Sequence, residues 1–572
     1  MPAKAGIQAD SAWAPAFAGV TVKRASEAKA NPCGSAYFQA RRLDVSIGLR
    51  RFWGCKPVKN LCKIAALLLA IATPAAAQAK WREAGTTHFV IYSEESPESL
   101  RKFADRLERY DSAMRFIRGL PDYDPGPANR LTIYVVSSVS AVQRLYGQGS
   151  SNIAGFYIPR AGGSLAIVPR RGLGTGKHDL DEEAVLRHEY AHHFMFENYP
   201  AAFPSWYVEG FAEFHATSVF EEDGSVGLGR PASHRAYGLF NGTSLPVDKM
   251  MALGNERLGP DRTEAIYGRG WLLTHYLTFN EARRPQLGTY LKALNSGKTG
   301  TEAATLAFGD LKALQRELDK YLMQKRMAYL QIPADKLRTG RIDLRELSPG
   351  EDAVMELKIR SKRGVNEKEA RALLPLMRKA AAPYPNDPAV QVTLAEAEYD
   401  ADNHKEAIDA ADRALAADPK SIDALLYKGR ATLALARETV DGQAKGIAEA
   451  RKLFAAANRL DPDDPEPLML FYTSHFAAGT KPTANAVMGL NHAFQIAPQD
   501  RGLRMLVARQ HLIDGKAQEA RAVLGPIAFD PHSGGIGAAA SAIIAALDKG
   551  GAAAALQSFD HSEQEEAVKD PA

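Results

Sequence analysis

The feature that most constrains the fold is a repeated spacing of alanine and proline near the C-terminal end. In three successive segments, an alanine lies twelve positions and again five positions before a proline. Small residues at fixed helical positions let paired helices approach closely, and a proline cannot continue a helix. The spacing therefore predicts stacked helical pairs. The three triplets are Ala407/Ala414/Pro419, Ala450/Ala457/Pro462 and Ala486/Ala493/Pro498.

This pattern resembles the tetratricopeptide repeat (TPR), a helix–turn–helix unit of about 34 residues. The prolines that end successive units (Pro388, Pro419, Pro462, Pro498 and Pro531) are 31, 43, 36 and 33 residues apart, and the longest interval fits an insertion at 437–446. A generic alanine-rich bundle is the alternative. The resemblance implies an all-α TPR solenoid over 386–556 that recruits a protein substrate or partner. We expect the acidic tail at 557–572 to be disordered.

The N-terminal residues 1–79 are a predicted leader. A basic region that ends at Lys63 precedes the apolar run Ile64–Ala72, and small residues surround Ala77. This order is typical of a cleaved signal peptide, and the apolar run is too short for a stable membrane anchor. The residues before this signal resemble translated bacterial repeat DNA, which indicates a start codon assigned too early. We predict a bacterial protein exported to the periplasm or the medium.

Charge and cysteine content exclude two classes of function. Residues 1–79 hold 11 Lys/Arg and three acids, a net +8, so the remainder of the +4 chain carries 4 − 8 = −4. A slightly acidic mature chain does not favour nucleic-acid binding. Cys33, Cys55 and Cys62 all lie in the leader. The mature chain would then contain neither disulfides nor cysteine-based catalysis.

Hydrophobic patterns after the leader predict an α+β domain over 80–335, with a small mixed sheet first and a helical half later. β-Branched and aromatic residues predict strands at 87–93 and 130–136 and a hairpin at 153–169. Helical periodicity predicts a helix at 97–118. The charged, less regular residues that follow, 336–385, read as a connector with one helix near 366–382.

The helical half carries the sequence His188-Glu189-Tyr190-Ala191-His192. On a helix, residues four apart share one face, so both imidazoles can reach one ion. Glu189 would then act as the base for a metal-bound water. The alternative is a surface helix with solvated side chains, or a packed His188.

A second segment, 206–214, strengthens the metal interpretation. Glu209 follows His192 by 17 residues, and the intervening chain is long enough to turn back. The two helices can then pack antiparallel and bring Glu209 to the ion as a third ligand. Two nitrogens and one carboxylate oxygen are typical of an open zinc site. Gly210 would permit close helix approach, and Glu213 would accept a ring N–H from His188 or His192.

The two motifs together resemble the gluzincin metallopeptidases of the thermolysin-like clan, in particular bacterial "peptidase MA-like" exported proteins. The resemblance implies one zinc per chain, held by His188, His192 and Glu209, with Glu189 as the base. It covers roughly 85–330. No G-x-M-E-N-type segment precedes the metal helix, which does not favour an aminopeptidase.

Two further residues near the motifs have weaker assignments. Tyr267 could donate a hydrogen bond to the oxyanion of a tetrahedral intermediate, or it could simply pack beside Trp271. His193 would point away from the ion and serve packing or a hydrogen bond.

Three functions remain open from the sequence. The first is an exported zinc metallopeptidase that hydrolyses peptide bonds, with repeats that recruit its substrate or a partner. The second is a catalytically silent metallopeptidase-like TPR protein of the cell envelope. The third is a zinc hydrolase of a non-peptide amide, for which the metal ligands would be the same.

Overall fold

A computed structural model describes residues 21–24, 81–146, 153–170, 182–242, 244–253, 260–438 and 442–569. The described residues form an N-terminal α+β part and a C-terminal array of helices. The strands are β1 Thr21–Arg24, β2 Arg82–Gly85, β3 Phe89–Ser93, β4 Leu131–Val136, β5 Phe156–Ile158, β6 Leu165–Pro169, β7 Val219–Phe220, β8 Val226–Leu228, β9 Ala328–Ile332 and β10 Asp343–Glu346. The helices of the α+β part are α1 Pro97–Arg118, α2 Val139–Tyr146, α3 Glu182–Asn198, α4 Ser205–Ala216, α5 Ala236–Asn241, α6 Val247–Ala252, α7 Pro260–Phe279, α8 Arg284–Asn295, α9 Gly300–Phe308 and α10 Leu311–Leu322.

The larger sheet is mixed and has the strand order β10-β2-β3-β4-β6-β5. Strands β3, β4 and β6 are parallel neighbours, and the other pairs are antiparallel. Side chains alternate between faces along β4 because the side-chain period of a strand is two residues. Leu131, Ile133 and Val135 join the core with α1 and α3, whereas Tyr134 and Val136 pack on the opposite face. The predicted strands and hairpin are confirmed.

A smaller sheet has the order β1-β9-β8-β7. Its strand β1 lies within the predicted leader and pairs antiparallel with β9. Apart from Thr21–Arg24, the leader lies outside the described residues, so its predicted cleavage stays a prediction. Removal of residues 1–79 would leave β9 at the edge of this sheet.

Helix α1 begins and ends as the sequence predicts. The Ser96 hydroxyl accepts the Ser99 N–H at the N-terminus, and Gly119 ends the helix with a left-handed φ of 63°. Two buried tyrosine hydroxyls help to hold helix α3 against it. The Tyr110 hydroxyl donates to the Arg187 carbonyl at 3.0 Å, and the Tyr190 hydroxyl donates to Asp111 at 2.6 Å. Because Tyr190 is the central residue of the His188–His192 motif, α1 fixes the position of that motif.

The prediction of a connector at 336–385 is wrong in two respects. Strand β10 extends the large sheet by pairing with β2, and a helix at Pro349–Lys362 (α11) precedes the expected one at Glu367–Ala381 (α12). The strand escapes prediction because Asp343–Glu346 is charged and mostly exposed, without apolar alternation. Helix α11 does carry a sequence signal, since Ser348 and Glu351 form a capping box.

The C-terminal array consists of successive helices joined by short turns, which confirms the predicted helical pairs. The alanines of the three spacing triplets have exposed fractions of 0–1%, so the small residues do lie between packed helices. The helices are α13 Pro388–Asp400, α14 His404–Ala417, α15 Ile422–Glu438, α16 Gln443–Leu460, α17 Pro465–Ala477, α18 Ala484–Ile496, α19 Arg501–Ile513, α20 Ala517–Phe529 and α21 Gly534–Lys569.

The prediction of a disordered tail from residue 557 is wrong for most of that segment, because α21 continues to Lys569. Its acidic composition is typical of disorder, whereas its backbone extends an alanine-rich helix. Within α21, residues Gly534–Asp560 are long and apolar enough to cross a membrane by length and composition alone. Gly551 interrupts this stretch with non-helical backbone angles, φ 70° and ψ −164°. The absence of a stable membrane anchor after signal cleavage therefore stays a prediction.

A buried charge cluster joins the residue before β3 to α1. The two ring nitrogens of His88 face Glu108 at 2.9 Å and the Tyr123 carbonyl at 3.1 Å. Both partners accept, which favours a doubly protonated ring. Burial alone would lower the pKa of His88, but the carboxylates of Asp111 and Glu108 raise it to about 9.

We expect His88→Gln to destabilise the protein in a pH-dependent way. The folded pKa of about 9 exceeds the unfolded value of about 6.5. The stabilisation by protonated His88 is therefore complete below about pH 6.5 and is lost as the pH rises through about 9. The difference in melting temperature between wild type and His88→Gln should shrink over that range. Exposed His492 provides the control substitution, and a difference that stays constant with pH would contradict the assignment.

Candidate metal centre

The two motif histidines converge on one point beside helix α3. Their Nε2 atoms lie 3.0 Å apart, and their ring centroids are 4.7 Å apart at an angle of 85°. Four residues of helix bring both imidazoles to the same face, as the sequence predicts. Only His188 has appreciable exposure, at 12% of its side chain against 3% for His192.

Helix α4 packs against α3 and presents Glu209 to the same point. Glu209 Oε2 lies 3.4 Å from His188 Nε2 and 3.6 Å from His192 Nε2. One ligand atom from each of these three residues lies within 4.8 Å of the other two. The structure therefore brings together the three residues that the sequence predicts as metal ligands.

The chemistry of this donor set fits a divalent cation such as zinc. Glu209 Oε2 is buried without a hydrogen-bond partner among the described residues. A buried carboxylate oxygen without a donor is costly unless a cation compensates it. The two facing imidazole nitrogens can each offer a lone pair to the same ion once they are deprotonated. Two nitrogens and one oxygen form the ligand set of open zinc sites.

The electrostatics of the centre also favour positive charge. Burial alone would raise the pKa of Glu209, but His532, His188 and His192 hold it well below its usual range. Burial would lower the pKa of His188, whereas the neighbouring carboxylates of Glu209 and Glu213 raise it to about 10. The two buried carboxylates thus stabilise a cation between the helices.

Glu213 holds the outer side of the His188 ring, in the role that the sequence predicts. Its Oε1 lies 3.2 Å from His188 Nδ1 and 2.8 Å from Arg235 Nη2, and its Oε2 lies 2.7 Å from His234 Nε2. The Nδ1–H of His188 therefore has an acceptor, which leaves Nε2 free to bind a metal. His234 and Arg235 were not found from the sequence, because the short 3₁₀ turn Ser233–Arg235 carries no motif.

Tyr267 lies over the His188 ring. Its ring stacks on His188 at a centroid distance of 5.6 Å and an angle of 16°, and the Arg235 guanidinium lies 4.6 Å from its ring centroid. Burial, followed by the carboxylates of Glu209 and Glu189, raises the pKa of Tyr267 well above its usual value. The phenol therefore keeps its proton and can donate it in a hydrogen bond.

The remaining polar residues near the motifs have separate positions. Glu189 is half-buried on α3, and its carboxylate acts electrostatically on both Tyr267 and His532. His193 accepts or donates a hydrogen bond with the Tyr157 hydroxyl at 2.8 Å, away from the other two motif histidines, as predicted. His275 bonds the Tyr321 hydroxyl at 2.8 Å in the interior.

His532 contacts the centre from the helical array, and no sequence pattern predicts this contact. His532, in the turn between α20 and α21, has its Nε2 at 2.7 Å from Glu209 Oε1. Its ring centroid lies 5.1 Å from that of His192. More than 300 residues separate it from Glu209 in the chain, and no motif connects the two positions.

Two glycines set the distance between α4 and α7. A Cβ atom on Gly210 would overlap the Gly270 carbonyl, and one on Gly270 would overlap the Trp206 carbonyl. Gly210 therefore does permit a close helix approach. The helix that approaches α4 there is α7, whereas the sequence predicts α3. The contact brings Tyr267, one turn before Gly270, over His188.

We expect Gly210→Ala to lower the free energy of unfolding by about 1–3 kcal/mol, because the added methyl group forces the two helices apart. Gly489→Ala is the matched control, since a Cβ there would make ordinary contact with Leu468 at 3.4 Å. That control should be neutral or stabilising by up to ~1 kcal/mol. Thermal or urea unfolding measures both, and equal effects would contradict the close contact.

Comparison with known proteins supports the repeats alone. A family model described as "Tetratricopeptide repeat" matches residues 388–431, outside the candidate metal centre. No curated protein matches the chain. Among solved structures, a thermophilic TPR protein of Thermus thermophilus is similar, with 17% identity and a TM-score of 0.30 over 34% of this chain and 97% of that one. The family-model match shows that the chain carries TPR-type repeats, which generally mediate protein–protein interaction.

Proposed function

We propose that this protein is an exported zinc-dependent metallopeptidase whose repeats recruit a substrate or partner. One observation carries the proposal: His188, His192 and Glu209 offer three ligand atoms within 4.8 Å of one another, with Glu189 next to the first ligand. Export is supported by the leader sequence alone. The resemblance of the two sequence motifs to those of gluzincins supports peptide bonds as the substrate.

Each residue of the centre has a distinct task in this proposal. A zinc ion held by His188, His192 and Glu209 would supply Lewis acidity and a nucleophilic water at neutral pH. Glu189 would take up a proton from the attacking water and hold it for transfer to the leaving amine. Its half-buried position suits both steps, because it is neither fully solvated nor locked in the core.

Tyr267 is the proposed donor to the oxyanion of the tetrahedral intermediate. A phenol with a raised pKa remains protonated at neutral pH, so it can donate a hydrogen bond where negative charge develops. Arg235 supports the ring and is itself held in place, since its guanidinium bonds both Glu213 at 2.8 Å and Glu264 at 2.7 Å. The tyrosine is therefore positioned before substrate binds.

Strand β5 is the proposed binding edge for an extended peptide. It is the last strand of the large sheet, and edge strands accept peptides by strand addition. The Tyr157 hydroxyl in β5 bonds His193 at 2.8 Å, which ties this edge to the metal-ligand helix. A peptide paired with β5 would lie alongside that helix.

We predict that Glu189→Gln retains zinc but loses hydrolysis by a factor on the order of 10²–10⁴, because the amide cannot accept the proton. The measurement is turnover of a mixture of quenched fluorescent peptides with randomised residues. Glu183→Gln on the same helix is the control, because Glu183 pairs with Arg106 outside the centre.

The outcomes separate the three candidate functions. Turnover by wild type and Glu183→Gln, with none by Glu189→Gln, supports the peptidase. Zinc binding with no peptide turnover by wild type would overturn the peptidase proposal and favour the silent TPR protein or a non-peptide amide hydrolase. Unchanged turnover in Glu189→Gln would show that this glutamate is not the base.

A further inference from the structure

The helical array contributes directly to the candidate metal centre, through a turn that it holds rigidly. The turn runs from Asp530 to Ser533, between α20 and α21. Asp530 accepts the His532 backbone N–H at 2.9 Å and the Arg501 guanidinium at 2.6 Å. The Ser533 hydroxyl donates to the Asp530 carbonyl at 2.7 Å. These bonds hold the backbone of His532 in place independently of the contact between its side chain and Glu209.

The same region of the array is packed onto the loop that joins the two ligand helices. A Cβ on Gly525 of α20 would lie 3.2 Å from the Ala202 side chain, between α3 and α4. Phe529, the last residue of α20, packs against both the core of the α+β part and the core of the C-terminal helices. His532 therefore approaches Glu209 from a docked surface.

The bond to His532 occupies one oxygen of Glu209 and leaves the other for the ion. Oε1 accepts from His532 Nε2 at 2.7 Å, whereas Oε2 faces His188 Nε2 at 3.4 Å and His192 Nε2 at 3.6 Å. The proton that makes the hydrogen bond leaves His532 Nε2 without a lone pair for a metal. His532 consequently acts through Glu209 and not as a fourth ligand.

We propose that His532 is a positioning residue that orients the Glu209 carboxylate toward the metal, so that the centre is complete only when the C-terminal helices are docked. The proposal rests on the proposed zinc function. It gives the array a role beyond recruitment, because the array supplies a contact to a metal ligand. Partners of metal ligands of this kind typically change metal affinity by 10–100-fold when removed.

The coupling must also operate in the opposite direction. If docking of His532 strengthens zinc binding, then zinc must strengthen docking by the same factor, because binding free energies are reciprocal. Zinc should therefore slow backbone amide exchange at His532 and Ser533, whose N–H groups both bond Asp530.

The test is zinc affinity of the full-length protein, measured by competition with a chromophoric chelator. We expect His532→Ala to bind zinc 10–100-fold more weakly, and His532→Gln to recover most of the affinity, because its amide can donate from a similar position. His492→Ala is the matched control: His492 bonds Asp463 at 3.1 Å and is 44% exposed, against 45% for His532.

Several results would overturn the positioning role. Equal or tighter zinc binding by His532→Ala would exclude it, as would a His532→Gln variant as weak as the alanine variant. Hydrogen exchange at the Asp530–Ser533 turn that is insensitive to zinc in the wild type would exclude the coupling. If the wild type binds no zinc, the proposed function fails and the positioning role fails with it, whereas zinc binding with an unaffected His532→Ala removes the positioning role alone.

Discussion

Helix α4 carries two carboxylates into the interior. Glu209 is 2% exposed and Glu213 is 1% exposed. Buried anions destabilise a fold unless cations and hydrogen-bond donors surround them. Three elements supply those groups here: α3, the 3₁₀ turn that follows β8, and the turn before α21. The arrangement of the centre is therefore tied to compensation of these two charges.

This constraint also explains why the centre lies between separate parts of the chain. Helix α1 fixes α3 through Tyr190 and Asp111, at a hydrogen-bond distance of 2.6 Å. Gly210 and Gly270 allow α7 to approach α4, which lays Tyr267 over His188. The C-terminal helices complete the ring of partners with His532. A histidine motif that looks local in the sequence depends on contacts from most of the protein.

Local patterns predicted the elements that have strong periodicity. The strands near 87–93 and 130–136, the helix at 97–118 and the helical pairs follow from apolar spacing and caps. His188, His192, Glu209 and Glu213 could be predicted because helix geometry places residues four apart on one face. His234, Arg235 and His532 could not, since their positions depend on tertiary packing. Strand β10 was missed because it is charged and exposed, and pairing with β2 alone makes it a strand.

Zinc content tests the metal centre most directly. Wild-type protein and Glu209→Gln would be purified without chelator, reconstituted with zinc, dialysed and measured by elemental analysis, with Glu183→Gln as the control. We predict one zinc per chain in wild type and control, and a large loss in Glu209→Gln, because a neutral amide oxygen replaces the anionic ligand. No bound zinc in the wild type, or equal zinc in all three proteins, would contradict a metal site formed by His188, His192 and Glu209.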